Sequence, residues 1–246
     1  EVGDGDRKQL MSGTIDRVDI CENDTDVYVR IIDYKTGKKD FNIVKTYYGI
    51  DIQLMVYMEA AMKLVAKMRP GKNVIPAGVF YYNISDPIVS ATTESAEEIE
   101  DKIKGELRLK GMVNSDKDIA EKMDNTEGTS LNIPVSRKAD GGFDSRRSKV
   151  MNTEQFNMLG RFVDVRAVDT ADRIAGGDIR RSPYKDGQFS SCDRCPYGAV
   201  CGFSVDLPGC NYRKLKKFDD EVLWNNIEEG VDENGKKMDT GAEERD

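Results

Sequence analysis

Two acidic residues stand where apolar strand residues would be expected. Gly13-Thr14-Ile15-Asp16 and Ile31-Ile32-Asp33-Tyr34-Lys35 each read as a short, buried strand carrying a carboxylate, and a lysine follows the second carboxylate by two places. Charge at an apolar strand position is costly unless it is paired or bound to a cation. Mg²⁺ takes hard oxygen ligands, commonly one or two carboxylates plus water and phosphate. Two Asp side chains at the ends of adjacent strands can converge on one such ion, and Lys35 leaves the same strand face as Asp33. The chemistry this suits is hydrolysis of a phosphodiester, in which a metal acidifies the attacking water and an ammonium offsets charge on the phosphoryl oxygens. Asp16, Asp33 and Lys35 are the candidate catalytic set, with Asp16 and Asp33 as metal ligands. Gln53 and Tyr57 lie four apart on a predicted helix and share a face. They place an amide and a phenol where a base or phosphate near the metal could meet them.

A second cluster carries different chemistry. Cys192, Cys195 and Cys201 form C-x₂-C-x₅-C, and thiolates at tight spacing favour zinc or an iron–sulfur cluster. A closed site needs four ligands, and the remaining cysteines are Cys21 and Cys210. An odd count of five without a secretory signal argues against a disulfide framework. Histidine is absent, which excludes a histidine general base, a histidine-containing triad or a zinc–histidine site built from these residues alone. No G-x-x-x-x-G-K-[ST] loop is present, so ATP hydrolysis is not expected of them.

The elements that must position these groups are strands and long helices. Residues 12–20 and 26–34 read as paired strands, with Asn23-Asp24-Thr25-Asp26 as the turn. Residues 36–40 form a loop. Ile50, Leu54, Tyr57, Met58, Ala61, Leu64, Val65 and Met68 form a helical apolar stripe over 48–68, stopped by Pro70-Gly71. Residues 74–84 are a further strand. Ser95 with Glu98 matches a capping box that opens a charged helix running to Lys110 and ending at Gly111. Residues 114–150 read mostly as loop, with one or two edge strands and an apolar interval at 131–135. Thr153 caps a second long helix with Phe156, Leu159, Val163, Ala167, Ala171 and Ile174 on one face, and Gly176-Gly177 ends it. The expected fold class is α/β, a mixed central sheet flanked by helices.

At 246 residues, 38% hydrophobic and 33% charged, the chain suits one domain with an appendage. No apolar run reaches the roughly 18–20 residues that span a bilayer. Glu1 to Gln9 is polar, without a signal-peptide pattern or an initiating methionine, so the expectation is a piece of a longer protein. The net charge of −8 lies wholly in the last stretch, where residues 218–246 hold 11 acidic and 3 basic side chains. Residues 1–217 are neutral overall and keep basic runs such as Arg146-Arg147, Arg180-Arg181 and Arg213-Lys214, so a groove that tracks phosphates is allowed. The expected divisions are 1–189 for the α/β core, 190–217 for the cysteine segment and 218–246 for an acidic tail, unstructured beyond its first turn.

Taken together, the stretches GTIDRVD, IIDYKTG and YYGIDIQLMVY resemble the nuclease core of the PD-(D/E)XK superfamily, in the RecB-like branch found in bacterial helicase–nucleases of the AddAB type. The resemblance implies a restriction-endonuclease-like fold and a metal-dependent deoxyribonuclease. Asp16 and Asp33 would be its Mg²⁺ ligands, with the Tyr34 carbonyl as a third, Lys35 its catalytic lysine, and Gln53 with Tyr57 the branch's helix motif. It further implies a cytoplasmic exonuclease acting on a DNA single strand supplied by an AddA-like partner subunit, during processing of double-strand breaks for recombinational repair. Cys192, Cys195 and Cys201, followed by Tyr212-Arg213, match the family's [4Fe–4S] segment, whose first cysteine precedes the nuclease core. The branch's upstream metal-binding histidine is absent here, either outside this sequence or lost, and the first cysteine is expected to lie before residue 1, with Cys21 and Cys210 as possible substitutes. A non-catalytic DNA-end-binding module with a structural iron–sulfur or zinc staple is the alternative reading.

Overall fold

In the computed structural model, residues 11–84, 86, 87, 89 and 95–232 are described. The chain divides into two compact units, one of Ser12–Asp164 and a second made mainly of the residues from Val165 on.

The first unit begins with strands β1 (Arg17–Glu22) and β2 (Asp26–Lys35), paired antiparallel. The Asn23 side chain makes the turn between them, accepting from the backbone N–H groups of Thr25 at 2.9 Å and Asp26 at 2.7 Å. Gly13 to Asp16 lie before β1, not in it, and β1 is an exposed sheet edge. The expectation of two buried acid-bearing strands therefore holds only for β2. Its Val27, Val29, Ile31, Ile32 and Asp33 are all buried.

Helices α1 (Ile43–Tyr47) and α2 (Gln53–Met68) follow, then β3 (Asn73–Asn83), parallel to β2. The apolar stripe over 48–68 suggests one helix from Tyr48 on. The helix instead starts at Gln53, because the chain turns out of helical geometry after Tyr48, with Gly49 at φ 72°. Leu54, Met55, Met58, Ala61 and Val65 are the buried stripe of α2, which packs on β2 and β3, while Leu64 and Met68 face solvent. Val29 pairs with Pro76 and Arg30 with Gly78, so Ala77 is an extra residue that bulges β3. A proline is tolerated at such a bulge because it has no ladder N–H to lose. Asn114 donates to the freed Pro76 carbonyl at 2.7 Å.

The capping box at Ser95 and Glu98 opens α3 (Ala96–Leu107), which ends before the expected Lys110. Gly111 does not stop a helix. It lies in β4 (Lys110–Asn114), antiparallel to β3, where an added Cβ would come 1.9 Å from the Val79 carbonyl oxygen. Helix α4 (Lys117–Met123), capped by Asp116, occupies a stretch expected to be loop, and β5 (Val150–Met151) completes the sheet in the order β1-β2-β3-β4-β5. This mixed sheet flanked by helices agrees with the expected fold class. On its side opposite α2, Ile32, Phe80 and Val113 join Ala120, Ile133 and Val135 in one core cluster. Helix α5 (Thr153–Ala175) is capped by Asn152, which exchanges hydrogen bonds with Gln155. Thr153 instead accepts from Asn114. Phe156, Leu159, Val163, Ala167 and Ala171 are buried as expected, whereas Ile174 is exposed.

The second unit holds a small sheet of β6 (Tyr184–Asp186), β7 (Phe189–Ser190) and, after the four-residue helix α6 (Gly198–Cys201), β8 (Arg213–Lys214). Composition alone makes residues 220–232 unstructured past their first turn. They form helix α7 (Asp220–Asp232), with Leu223 and Ile227 buried. An apolar pair four residues apart outweighs the acidic composition there. The rest of the acidic tail lies outside the described residues. No helix among the described residues is long and apolar enough to cross a membrane.

The loop after α4 is organised by one side chain. Asp124 accepts from Ser130 Oγ at 2.6 Å, Asn132 Nδ2 at 2.8 Å and the Thr126 N–H at 2.7 Å. Burial raises its pKa, but these donors outweigh burial and hold it down at about 2. A carboxylate with a depressed folded-state pKa stabilises the fold above its ordinary value and loses that contribution as pH falls through the folded value. Asp124→Asn is expected to lower stability by about 2 kcal/mol at neutral pH. In urea titrations followed by circular dichroism, the gap between the variant and the native protein closes between pH 3.8 and about 2.

Candidate active site at the end of strand β2

Strand alternation puts Ile31, Asp33 and Lys35 on the α2 side of the sheet. Asp33 is 2% exposed. Its Oδ2 forms an ion pair with Lys35 Nζ at 2.6 Å. A carboxylate this deeply buried is costly unless it is paired or bound to a cation, and its oxygens are the hard donors that Mg²⁺ takes. Asp33 thus fits a divalent cation.

Lys35 is held in place from the other side. It donates to Gln53 Oε1 at 3.0 Å, and Gln53 Nε2 donates to the Tyr57 hydroxyl at 3.0 Å. Gln53 and Tyr57 are one turn apart on α2, so one helix face aims both groups at the end of β2. The Tyr57 ring packs on Gly13, where an added Cβ would be 3.3 Å from Cε1. Three residues on, Asp16 accepts from the Tyr34 N–H at 2.8 Å. Asp16 is exposed and is tied to the backbone of β2 at Tyr34, between Asp33 and Lys35 in the chain, and not by a strand of its own. Asp16, Asp33, Lys35, Gln53 and Tyr57 therefore lie in one connected group with Tyr34 inside it.

A second layer is not evident from the sequence. Asp51, nearly buried, pairs with Lys39 at 2.8 Å and accepts from the Tyr81 hydroxyl at 3.3 Å. Its backbone carbonyl accepts from Thr46 Oγ1 at 3.0 Å. Tyr81 sits in register with Asp33, and the Lys35 and Lys39 ammoniums lie 5.6 and 5.7 Å from its ring centroid. The signal that could have found this layer is a carboxylate two residues before Gln53, at a helix start where an apolar residue would otherwise be buried.

The cysteines are placed differently. Cys192 and Cys195 flank one turn, with the Cys195 N–H donating to the Cys192 carbonyl at 3.1 Å, and Cys201 ends α6. The Tyr212 phenol is held above its ordinary value, first by its hydrogen bond to Cys192. Cys21 is exposed and Cys210 buried. Among the described residues, no group of three or more His, Cys, Asp or Glu side chains is placed to hold one metal ion. Cys192, Cys195 and Cys201 supply three thiols where a closed site takes four ligands.

Residues 2–202 match the family described as the PD-(D/E)XK nuclease superfamily. The chain is also similar to proteins named as a subunit of an ATP-dependent helicase/deoxyribonuclease. That of Caldanaerobacter subterraneus subsp. tengcongensis is 39% identical over 94% of this chain and 20% of its own length. Those of Thermoanaerobacter sp. and Lachnoclostridium phytofermentans are each 37% identical, over 92% and 97% of this chain and 20% and 21% of their own lengths. The chain spans about a fifth of the length of the curated relatives it matches.

Burial, with the Asp51 charge beside it, pushes the Tyr81 phenol well above its ordinary value of 10.0. A raised folded-state pKa stabilises the fold fully below the unfolded value and less as pH rises past it. Tyr81→Phe removes the buried hydroxyl's bond to Asp51 and is expected to unfold more easily than the native protein at neutral pH. The difference in urea midpoint shrinks above pH 10.

Proposed function

The chain belongs to the PD-(D/E)XK nuclease superfamily, and on that premise we propose that it hydrolyses phosphodiester bonds of a DNA single strand with Mg²⁺ held by Asp16, Asp33 and the Tyr34 carbonyl. The observation that carries this reading is the Asp33 carboxylate, sealed from solvent and ion-paired at 2.6 Å with a Lys35 ammonium that is itself partly exposed. Bound Mg²⁺ supplies a Lewis acid that acidifies water and offsets charge on the phosphoryl group. Lys35 keeps its ammonium at the open end of β2, 30% exposed and able to meet a phosphoryl oxygen. Gln53 orients that ammonium through its carbonyl and fixes Tyr57 through its amide. Lys39 lies near the same Tyr81 ring as Lys35, with its charge balanced by Asp51.

The relatives' name couples a deoxyribonuclease to an ATP-dependent helicase and calls the protein a subunit. We extend that to this chain: a partner subunit unwinds duplex ends in the cytoplasm and feeds one strand to this site, as an exonuclease in double-strand break repair. The C-x₂-C-x₅-C spacing of Cys192, Cys195 and Cys201 supports a separate proposal, that these thiolates close on an iron–sulfur cluster with a ligand from elsewhere in the longer protein.

The test is degradation of linear single-stranded DNA by the full-length protein with its partner subunit. Activity is expected to require Mg²⁺ and to fall at least about hundredfold in Asp33→Ala and in Lys35→Ala. Mg²⁺ is expected to raise the thermal midpoint of the native protein and not that of Asp33→Ala. Equal degradation by the native protein and Asp33→Ala would end the catalytic claim. For the cysteines, anaerobically prepared full-length protein is expected to carry iron, sulfide and a broad visible absorption that Cys195→Ser abolishes. A colourless, iron-free preparation refutes the cluster.

A further inference from the structure

The face of β2 turned away from Asp33 and Lys35 carries a second site. Arg30, Ile32 and Tyr34 alternate with the catalytic-side residues, and they line a cleft of about 540 Å³ with Arg17, Tyr82, Lys104 and Arg108. That size suits a small ligand or a short piece of a polymer.

Its chemistry is cationic and aromatic together. Arg17 and Arg30 share the single carboxylate of Asp19, so one positive charge is left over. Lys104 is paired with Glu100 at the exposed rim, at 2.8 Å. Arg108 donates to the Ser130 carbonyl, at 3.3 Å, and its Nε is buried with no hydrogen-bond partner. The remainder of the Arg108 guanidinium lines the cleft, where its charge can meet an anion. Burial, reinforced by the Arg108 charge, holds the neighbouring Lys110 ammonium below its ordinary value, which fits an excess of positive charge in this region. Between the cations, Tyr34 and Tyr82 meet edge to face, with centroids 5.8 Å apart and planes at 89°. Tyr34 is 39% exposed.

Phosphate-binding guanidiniums beside partly open aromatic rings suit a ligand that is an anion and a flat ring at once, which is a nucleotide. Rings that stack on bases need those bases unpaired, so the fitting polymer is single-stranded. We propose that this cleft binds a nucleotide segment of a nucleic-acid single strand, phosphates on Arg108 and Arg30 and a base on the Tyr34–Tyr82 pair. The site is separate from the Asp33–Lys35 group and does not depend on cleavage there.

The experiment is fluorescence-anisotropy titration of a labelled single-stranded oligonucleotide against the full-length protein, in EDTA so that no cleavage occurs. Lys104→Gln/Arg108→Gln is expected to weaken binding about tenfold and to flatten the plot of log K against log salt by roughly one unit for each phosphate no longer neutralised. Tyr82→Leu is expected to weaken single-strand binding about tenfold while leaving a blunt duplex unaffected. Irradiation of an iodouracil-substituted oligonucleotide is expected to cross-link Tyr34 or Tyr82, a readout that does not rely on the stability of any variant. Cross-links confined to other residues would overturn the assignment. So would unchanged affinity and salt slope in folded variants, or a poly-glutamate peptide that competes as well as the oligonucleotide, since the cleft would then serve an acidic protein.

Discussion

The burial of one carboxylate, Asp33, is the constraint around which the first unit is built. A charge almost without solvent, facing a helix, must be offset locally. Among the described residues, Lys35 is the cation in contact with it and is itself partly exposed, so its ammonium would wander without restraint. Gln53 supplies the restraint, Tyr57 holds the Gln53 amide, and Gly13 leaves room for the Tyr57 ring. Each contact narrows the freedom of the next. The sequence of α2 is therefore constrained on two sides: its apolar stripe sets where the helix lies on β2 and β3, and its first turn sets where Lys35 points.

The sheet must place the end of β2 with matching precision. The bulge at Ala77 sets the register in which Tyr81 stands beside Asp33. Asn114 satisfies the carbonyl that the bulge exposes, and Gly111 lets β4 approach β3 more closely than any side chain would allow. These residues are far from the carboxylate in sequence and touch nothing chemical. Their work is to keep Tyr81, and through it Asp51 and Lys39, in line with the reactive strand.

How much of this was legible depended on whether the signal was local. The apolar stripes of α2 and α5, the apolar run of β3, the Asn23 turn and the Ser95 capping box are all short-range patterns, and each identifies its element. Elements that rest on distant partners were not visible. Strand β4 is only Lys110 to Asn114 and needs β3 to exist as a strand. Helix α4 spans only Lys117–Met123, and the Asp124 loop is fixed by donors six and eight residues away. At the candidate site, Asp-x-Lys and Gln-x-x-x-Tyr announce themselves by spacing. The Asp51–Lys39–Tyr81 layer does not, because its members share no period and meet only when β3 lies beside β2. Asp16 shows a third case: its type and place in the chain were readable, but its strand was not. It reaches the site through a backbone N–H of Tyr34.

Tyr34 stands on a strand whose two faces carry different groups. Its neighbours Asp33 and Lys35 point to the α2 side, while its own ring points to the cleft with Arg30 and Ile32. Its N–H donates to Asp16. A one-residue slip of β2 would exchange the faces and bury Arg30 against α2 while exposing Asp33. The pairing that prevents such a slip runs on both flanks of β2, through six β1 partners and ten β3 partners. Register here is more than a matter of stability. It keeps a carboxylate and a lysine on one side and arginines with an aromatic pair on the other, so the strand order of the sheet is itself part of the site.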